Sequence, residues 1–296
     1  MNVWSKILVF FPLWIFFSMI FYGIVFLIYP ESFSGSKEEF DILMSNNFGF
    51  LILSQVAVFL GTISAVYFIS KFIDKQVPDY LKFMLNPSGL LLGIILGTIA
   101  ILIIIFILSI TTKIHIKFQG FDIGILWYLI LFLLVAITEE VMIRGFLFTN
   151  LYNHSNKHLA IIISSVIFSL MHLFNSSFNI ISMINIFLVG IFFCQLYLKD
   201  MNLSIPIGFH FSWNFLQGPV FGFSVSGLVT QGFFNIENAN GTEFPFEGFG
   251  LEGSLISAFV LSSFIVYFYF TNTRYRILLE KIERSVINVT TLKIEA

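Results

Sequence analysis

Residues 123–149 read IGILWYLILFLLVAITEEVMIRGFLFT. The stretch is apolar and long enough to cross a lipid bilayer, since a spanning helix needs about 20 mostly apolar residues. It nevertheless carries Glu139, Glu140 and Arg144 near its end, although a charged group at the centre of a bilayer costs several kcal/mol. Helices that keep such groups usually turn them toward protein or water. The stretch therefore predicts a transmembrane helix with an internal polar site.

The composition of the whole chain is typical of membrane proteins. Its 296 residues are 57% hydrophobic and only 11% charged, whereas soluble domains carry about 25% charged residues. The formal net charge is -2, and no basic stripe indicates a nucleic-acid partner. The single cysteine, Cys194, excludes an intramolecular disulfide and argues against a cysteine-based metal site.

Eight apolar stretches are predicted to span the membrane. They cover residues 7–29, 47–70, 89–110, 123–149, 158–174, 180–198, 203–228 and 253–271. The first is longer than a signal-peptide core of about 7–15 residues and is expected to remain as a helix. The seventh contains two prolines and four glycines and is expected to be broken or re-entrant. We therefore predict an all-α, polytopic membrane protein of about eight transmembrane helices that enclose an intramembrane cavity.

The positions of Lys and Arg predict the orientation. With the N-terminus in the cytoplasm, twelve of the fifteen Lys and Arg fall inside, and only Lys37, Lys113 and Lys117 fall outside. Loop acids such as Glu247 and Glu252 also fall outside, although acids weigh little in this rule. Both termini are therefore expected to be cytoplasmic. The Ile-, Phe-, Asn- and Lys-rich composition indicates a bacterial plasma membrane.

The charged residues of the fourth span follow a helical pattern. Glu140 and Arg144 are four residues apart with the acid first, which is the favourable order for an ion pair on a helix. Glu139 points about 100° away and is therefore available for another role. Taken alone, the same run is equally consistent with an ion pair at the membrane interface.

Two later spans carry polar groups at the same spacing. Phe168 and His172 share one helix face in the fifth span, and His210 and Asn214 share one in the seventh. Taken singly, each group is also consistent with hydrogen bonding between helices. Each lies on the order of 10–20 Å from the predicted cytoplasmic end, at about 1.5 Å per residue. The three motifs can therefore meet near the middle of the membrane.

Read in order, these motifs resemble those of the CAAX prenyl protease type II and bacteriocin-processing family (CPBP, also called Abi) of intramembrane proteases. They are Glu139-Glu140-x-x-x-Arg144, Phe168-x-x-x-His172 and His210-x-x-x-Asn214. The resemblance covers about residues 123–227. It divides the membrane domain into N-terminal transmembrane helices at 1–122, a catalytic core at 123–228, and a loop, last transmembrane helix and cytoplasmic tail at 229–296.

The resemblance implies a bundle of eight helices, with a cavity open toward the cytosolic leaflet, that hydrolyses peptides with an activated water. Carried over by position, Glu139 would be the general base, and His172 would help to hold and activate the water. His210 and Asn214 would stabilise the oxyanion. The supporting residues would be Glu140, Arg144 and Phe168.

Other chemistries remain open from the residues alone. Glu139, His172 and His210 could bind zinc with an open fourth position, although no His-Glu-x-x-His motif is present. We prefer the metal-free glutamate mechanism that the resemblance implies and expect no cofactor. Ser169 and Ser212 leave a serine mechanism open, although their positions favour a packing role.

Other functions also remain open. Intramembrane Glu and His mark ion paths, so a proton-coupled transporter is one alternative, although no inverted repeat is visible. A non-catalytic membrane immunity or binding protein is the other. The expected partners of a peptidase are a peptide or lipidated peptide and membrane lipid. The sequence decides neither the physiological substrate, nor the oligomeric state, nor whether residues 229–252 form a re-entrant flap or an exposed loop.

Overall fold

The computed structural model describes residues 1–34, 36, 43, 47–75, 86–121, 123–239 and 244–271. Within these residues the chain is mostly helical, as predicted. The long helices are α1 (Val3–Ile28), α2 (Phe48–Phe68), α3 (Pro87–Thr111), α4 (Ile125–Glu140), α5 (Lys157–Met171), α6 (Ile180–Tyr197), α7 (Ser204–Phe215) and α8 (Leu255–Thr271). Short helical turns occur at Glu31–Ser34 and Leu251–Gly253. The predicted cytoplasmic tail lies outside the described residues.

Several helices begin at an asparagine, because its side-chain oxygen accepts a backbone N–H that the first helical turn leaves without a partner. The capping residues of α1, α2, α3, α5 and α6 are Asn2, Asn47, Asn86, Asn156 and Asn179. At α6 the cap is reciprocal, since Ser182 bonds back to the backbone of Asn179.

Three of the described helices continue as π-helical turns. The continuations are Ile69–Asp74 after α2, Val141–Phe148 after α4 and Leu216–Val220 after α7. An α-helical end, Thr149–His154, follows the π-helical turn of α4. Such turns are rare and often occur at functional sites. Here two of them directly follow the helix segments that carry the predicted catalytic residues.

In the described part of the chain, five helical segments are long and apolar enough to cross a membrane. They are Val3–Ile28, Phe48–Asp74, Pro87–Thr111, Ile125–His154 and Ile180–Tyr197. The segments α5 and α8 are apolar but shorter. The 15 residues of α5 rise only about 22 Å, less than a hydrocarbon core of about 30 Å. An integral membrane protein is therefore supported, whereas the predicted count of eight spans is not confirmed. Orientation and bacterial source stay predictions.

Helix α7 lies at the centre of the described structure and packs against α3, α4 and α6. Small residues allow the closest of these contacts. A Cβ atom on Gly93 of α3 would meet the backbone of Ile205, and one on Gly208 of α7 would meet the backbone of Leu90. Glycine at both positions lets the two backbones touch, as is common between membrane helices. This contact fixes the distance between α3 and α7.

The predicted seventh span is interrupted, as its prolines and glycines suggested. The helical part ends at Val220, and none of the described residues between 221 and 250 is helical. Part of this segment is a strand, β2 (Phe234–Asn238), which pairs antiparallel with β1 (Ile114–Phe118). The prediction of an all-α fold missed this small sheet.

The sequence left open whether residues 229–252 form a re-entrant flap or an exposed loop. The structure shows how residues 244–253, at the end of this segment, are packed. Phe246, Phe249 and Leu251 are buried, and their cores include residues of α5, α6 and α7. This part of the loop is therefore packed into the protein and is not an exposed loop. The division of the chain at residues 122 and 228 stays a prediction.

Candidate active site

The two carboxylates predicted from the fourth span are the last two residues of α4. The π-helical turn Val141–Phe148 begins directly after them. The Glu140 side chain is fully buried, whereas the Glu139 side chain is 25% exposed. The two neighbouring carboxylates therefore have different environments, as expected from their separation of about 100° around the helix.

Arg144 fixes Glu140. Its Nη1 donates to Oε1 of Glu140 at 2.9 Å, and both side chains are fully buried. Its Nη2 donates to the carbonyl oxygen of Gly190 on α6 at 3.3 Å. The guanidinium lies 4.4 Å from the ring centre of Phe168 and 4.8 Å from that of Phe193, within the range of cation–π contacts. The predicted ion pair is therefore present and holds α4 against α5 and α6.

Each ring nitrogen of His210 faces one of the two carboxylates. Its Nδ1 lies 3.1 Å from Oε1 of Glu140, and its Nε2 lies 3.7 Å from Oε2 of Glu139. A carboxylate paired with Arg144 can only accept, so Nδ1–H donates to Glu140. This hydrogen bond orients the ring and turns Nε2 toward Glu139.

His172 ends α5, and Phe168 holds its ring. The Nδ1 atom of His172 lies 2.9 Å from the carbonyl oxygen of Phe168, which can only accept, so Nδ1–H is the donor. In the neutral ring Nε2 is then the acceptor. The Phe168 ring also meets both imidazoles edge to face, with centroids 5.0 Å from His172 and 6.4 Å from His210. The phenylalanine of the motif thus separates and orients the two histidines.

A small cavity of about 20 Å³ lies beside these groups. Its lining includes Asn185, the imidazoles of His172 and His210, Trp213, Asn214 and Glu252. One water molecule needs about 10–15 Å³ of such space, so the cavity is large enough for a water and too small for a peptide. Glu139 is not part of this lining, but its Oε2 lies 3.7 Å from Nε2 of His210, which is. The structure therefore groups His172, His210 and Asn214 around one cavity and places Glu139 next to His210.

Comparison with known protein families agrees with these motifs. Residues 121–216 match the family model described as type II CAAX prenyl endopeptidase Rce1-like. This segment is Rce1-like. The family predicted from the three motifs is thereby confirmed, and it supports a membrane peptidase.

The Rce1-like segment comprises 96 of the 296 residues and contains all three motifs. It runs from the turn before α4 to the π-helical end of α7. Neither the curated proteins nor the solved structures gave a significant match to the chain. The bacteriocin-processing part of the predicted family name stays a prediction.

The sequence did not predict that Asn185, Trp213 and Glu252 also line this cavity. Glu252 was counted among the outside acids, but the structure buries it, and its carboxylate accepts from Nε1 of Trp213 at 3.1 Å and from Nε2 of Gln217. Burial raises the pKa of the Glu252 carboxyl above its ordinary value, and these donors oppose the rise. A single loop acid outside the Rce1-like segment gives no sequence signal for burial.

The serine alternative receives no support from the geometry. The Ser169 hydroxyl donates to the carbonyl oxygen of Met183 at 2.8 Å, and that of Ser212 to the carbonyl oxygen of Phe209 at 3.1 Å. Both hydroxyls therefore bond to backbone carbonyls, as expected for packing residues in apolar helices.

A zinc ion would need Glu139, His172 and His210 to lie close together around one point. Among the residues that the structure describes, no three His, Cys, Asp or Glu side chains are grouped closely enough to hold a metal ion. The set Glu139, His172 and His210 does not fit a metal in this arrangement.

Proposed function

We propose that this chain is an intramembrane endopeptidase that hydrolyses hydrophobic or membrane-associated peptides with a water molecule activated by Glu139. One observation carries the proposal. Polar side chains at the end of α5 and on α7 line a cavity of the size of a water molecule, and Glu139 of α4 lies 3.7 Å from one of them, His210. Polar residues that only bond one helix to another need not share such a cavity. A carboxylate, two imidazoles and a carboxamide are the groups that amide hydrolysis needs.

Glu139 is assigned the role of general base. It takes one proton from the water while the water oxygen bonds to the carbonyl carbon of the scissile peptide. Its side chain is not paired with Arg144, and its Oε2 has no hydrogen-bond partner among the described residues, so it is available to take a proton, whereas the Glu140 carboxylate is held by Arg144. His172 uses Nδ1 toward Phe168, which leaves Nε2 as the acceptor that orients the water.

His210 and Asn214 are assigned to the oxyanion. They lie one turn apart on α7, and both line the cavity. With both ring nitrogens protonated, His210 donates from Nδ1 to Glu140 and from Nε2 to the oxyanion. One such donor is typically worth about 3–4 kcal/mol in the transition state. The intermediate then collapses as the C–N bond breaks, and Glu139 returns its proton to the leaving amine.

The proposed substrate class follows from the surroundings of the site. The segment that carries it is apolar, and the matching family description names prenyl endopeptidases. We extend this to peptides that carry a lipid group or an apolar segment and approach within the membrane. The cavity is too small for a peptide, so substrate entry must separate parts of its lining.

The proposal is tested by following peptide ends in membranes. New peptide termini are expected in membranes from cells that express the wild-type chain and not in those with Glu139→Ala. Purified protein in liposomes should cleave internally quenched peptides, tested with and without a prenyl group. Intact peptides together with pH-dependent flux would instead support a transporter. Biological activity that survives Glu139→Ala would support a non-catalytic immunity protein.

Metal removal gives a separate prediction about the mechanism. We expect peptide cleavage to survive exhaustive dialysis against EDTA and 1,10-phenanthroline, because the proposed base and oxyanion donors all belong to side chains. Rates are measured before and after dialysis, with the zinc content of the same sample determined by elemental analysis. Stoichiometric zinc that leaves together with the activity, and restores it when added back, would overturn the metal-free mechanism.

A further inference from the structure

Glu252 lies in a buried set of hydrogen bonds that the proposed mechanism does not use. We call Asn185, Trp213, Gln217 and Glu252 the polar hub. The carboxylate of Glu252 accepts from Nε1 of Trp213 at 3.1 Å and from Nε2 of Gln217, and Glu252 is only 5% exposed. Its two oxygens are therefore held from two positions one turn apart on the same helix.

The hub also fixes the backbone around Glu252. The side-chain nitrogen of Asn185 on α6 donates to the carbonyl oxygens of Glu252 and Ser254, at 2.6 and 2.8 Å. The side-chain nitrogen of Gln217 donates in addition to the carbonyl oxygen of Ser224 at 2.7 Å. The loop before α8 is thereby tied to α6 and to the π-helical end of α7.

The position of the hub on α7 connects it to the site. His210, Trp213, Asn214 and Gln217 follow one another at spacings of three, one and three residues, which places them on one side of a helix. Trp213 and Gln217 flank Asn214, and His210, Trp213, Asn214 and Glu252 line the same cavity. The carboxylate of Glu252 therefore bonds to the same helix face that presents His210 and Asn214 to the cavity.

The kind of group that bonds to the Glu252 carboxylate favours a role in orienting the helix. Within the described residues, no Lys, Arg or His nitrogen lies within 4.0 Å of the Glu252 carboxylate. It is held by N–H groups of fixed direction, and directional hydrogen bonds specify orientation better than a charge contact. Such a group is suited to orienting a helix.

We propose that Glu252 is a positioning residue, which holds Trp213 and Gln217 so that His210 and Asn214 face the reacting carbonyl. The inference rests on the proposed peptidase function. Glu252 lies outside the Rce1-like segment, so the match to that family says nothing about it. A residue that orients the oxyanion donors acts on the transition state, so its loss should lower kcat and leave KM nearly unchanged.

The test uses Glu252→Gln in the full-length chain in liposomes. Glutamine has nearly the same shape, but its NH₂ group must face the donors of Trp213 or Gln217, so one hydrogen bond of the hub is lost. We expect kcat for a quenched peptide to fall at least tenfold, with KM within twofold of the wild type. Glu247→Gln is the matched control, because Glu247 lies in the same loop and is exposed. This control should cleave at the wild-type rate.

A second measurement tests the positioning role of Glu252 without relying on peptide cleavage. The four tryptophans are replaced by 5-fluorotryptophan, and the ¹⁹F resonance of Trp213 is identified by its absence in Trp213→Phe. Glu252→Gln should shift this resonance, and Glu247→Gln should not. An unshifted Trp213 resonance overturns the positioning role whether or not the wild type cleaves peptides. A wild type that cleaves no peptide overturns the peptidase proposal alone.

A milder variant covers the case in which Glu252→Gln does not fold. Trp213→Phe removes one donor but keeps an aromatic ring against Phe209, whose centroid lies 5.8 Å from that of Trp213. We expect kcat to fall several-fold with KM unchanged. Wild-type kcat in either folded variant overturns the proposal.

Discussion

Glu139→Gln is expected to lower kcat/KM for peptide cleavage by about 10²–10⁴-fold, which is the usual contribution of a general base. Glutamine keeps the shape of the side chain but cannot take a proton from water. The protein should still fold and insert, because the Glu139 side chain is 25% exposed and lies 3.7 Å from His210, beyond hydrogen-bond distance. Initial rates with a quenched peptide in liposomes, together with thermal unfolding of the same samples, measure both effects.

The neighbouring carboxylate is the matched control for this experiment. Glu140→Gln changes the same atoms one residue later, but it leaves the buried Arg144 without an anionic partner. We expect it to lower the free energy of unfolding, whereas Glu139→Gln should not. Turnover near the wild-type rate in Glu139→Gln would show that another group is the base, and the catalytic assignment would then be wrong.

The polar motifs could be predicted from the sequence because spacing alone places their members on one helix face. Glu140 and Arg144, four residues apart with the acid first, form the ion pair that this spacing favours. The proximity of Glu139 to His210 was not predictable. Spacing fixes directions within one helix, whereas the contact between α4 and α7 depends on how closely their neighbours pack.

The small sheet and the close packing of α3 against α7 correspond to sequence patterns that a search for apolar stretches does not detect. Ile114–Phe118 alternates apolar and polar residues over five positions, and residues 234–237 do so over four, which is the pattern of a half-buried strand. Three glycines of α3 recur at four-residue spacing, at 89, 93 and 97, which is typical of close helix contacts. Both patterns can be seen in the sequence.

The burial of Glu252 could not be predicted. Its neighbours on the chain give it no periodic pattern, and its partners Trp213 and Gln217 lie 39 and 35 residues away. Only the return of the loop to α7 brings them together. The length of α5 was overestimated because apolar residues continue past its last helical residue, Met171, into the turn that reverses the chain.

Arg144→Met is expected to destabilise the protein by about 3–5 kcal/mol, the usual cost of leaving one partner of a buried ion pair without the other. Methionine keeps an unbranched apolar chain at position 144 but removes the guanidinium that lies over the rings of Phe168 and Phe193, and it cannot neutralise Glu140, which is fully buried. His210 would remain as its hydrogen-bond donor. Reversible unfolding in mixed detergent micelles, followed by circular dichroism, gives the loss of unfolding free energy.

The double variant Arg144→Met with Glu140→Gln separates the charge effect from the packing effect. It removes both charges, so no uncompensated charge is buried. Replacing both members of a buried ion pair by uncharged groups often changes the free energy of unfolding little. We therefore expect it to recover most of the loss. Lys117→Met breaks an exposed ion pair with Glu237 and should cost only about 0–1 kcal/mol. A double variant as unstable as Arg144→Met would mean that the guanidinium acts mainly through its contacts with the two phenylalanine rings and Gly190.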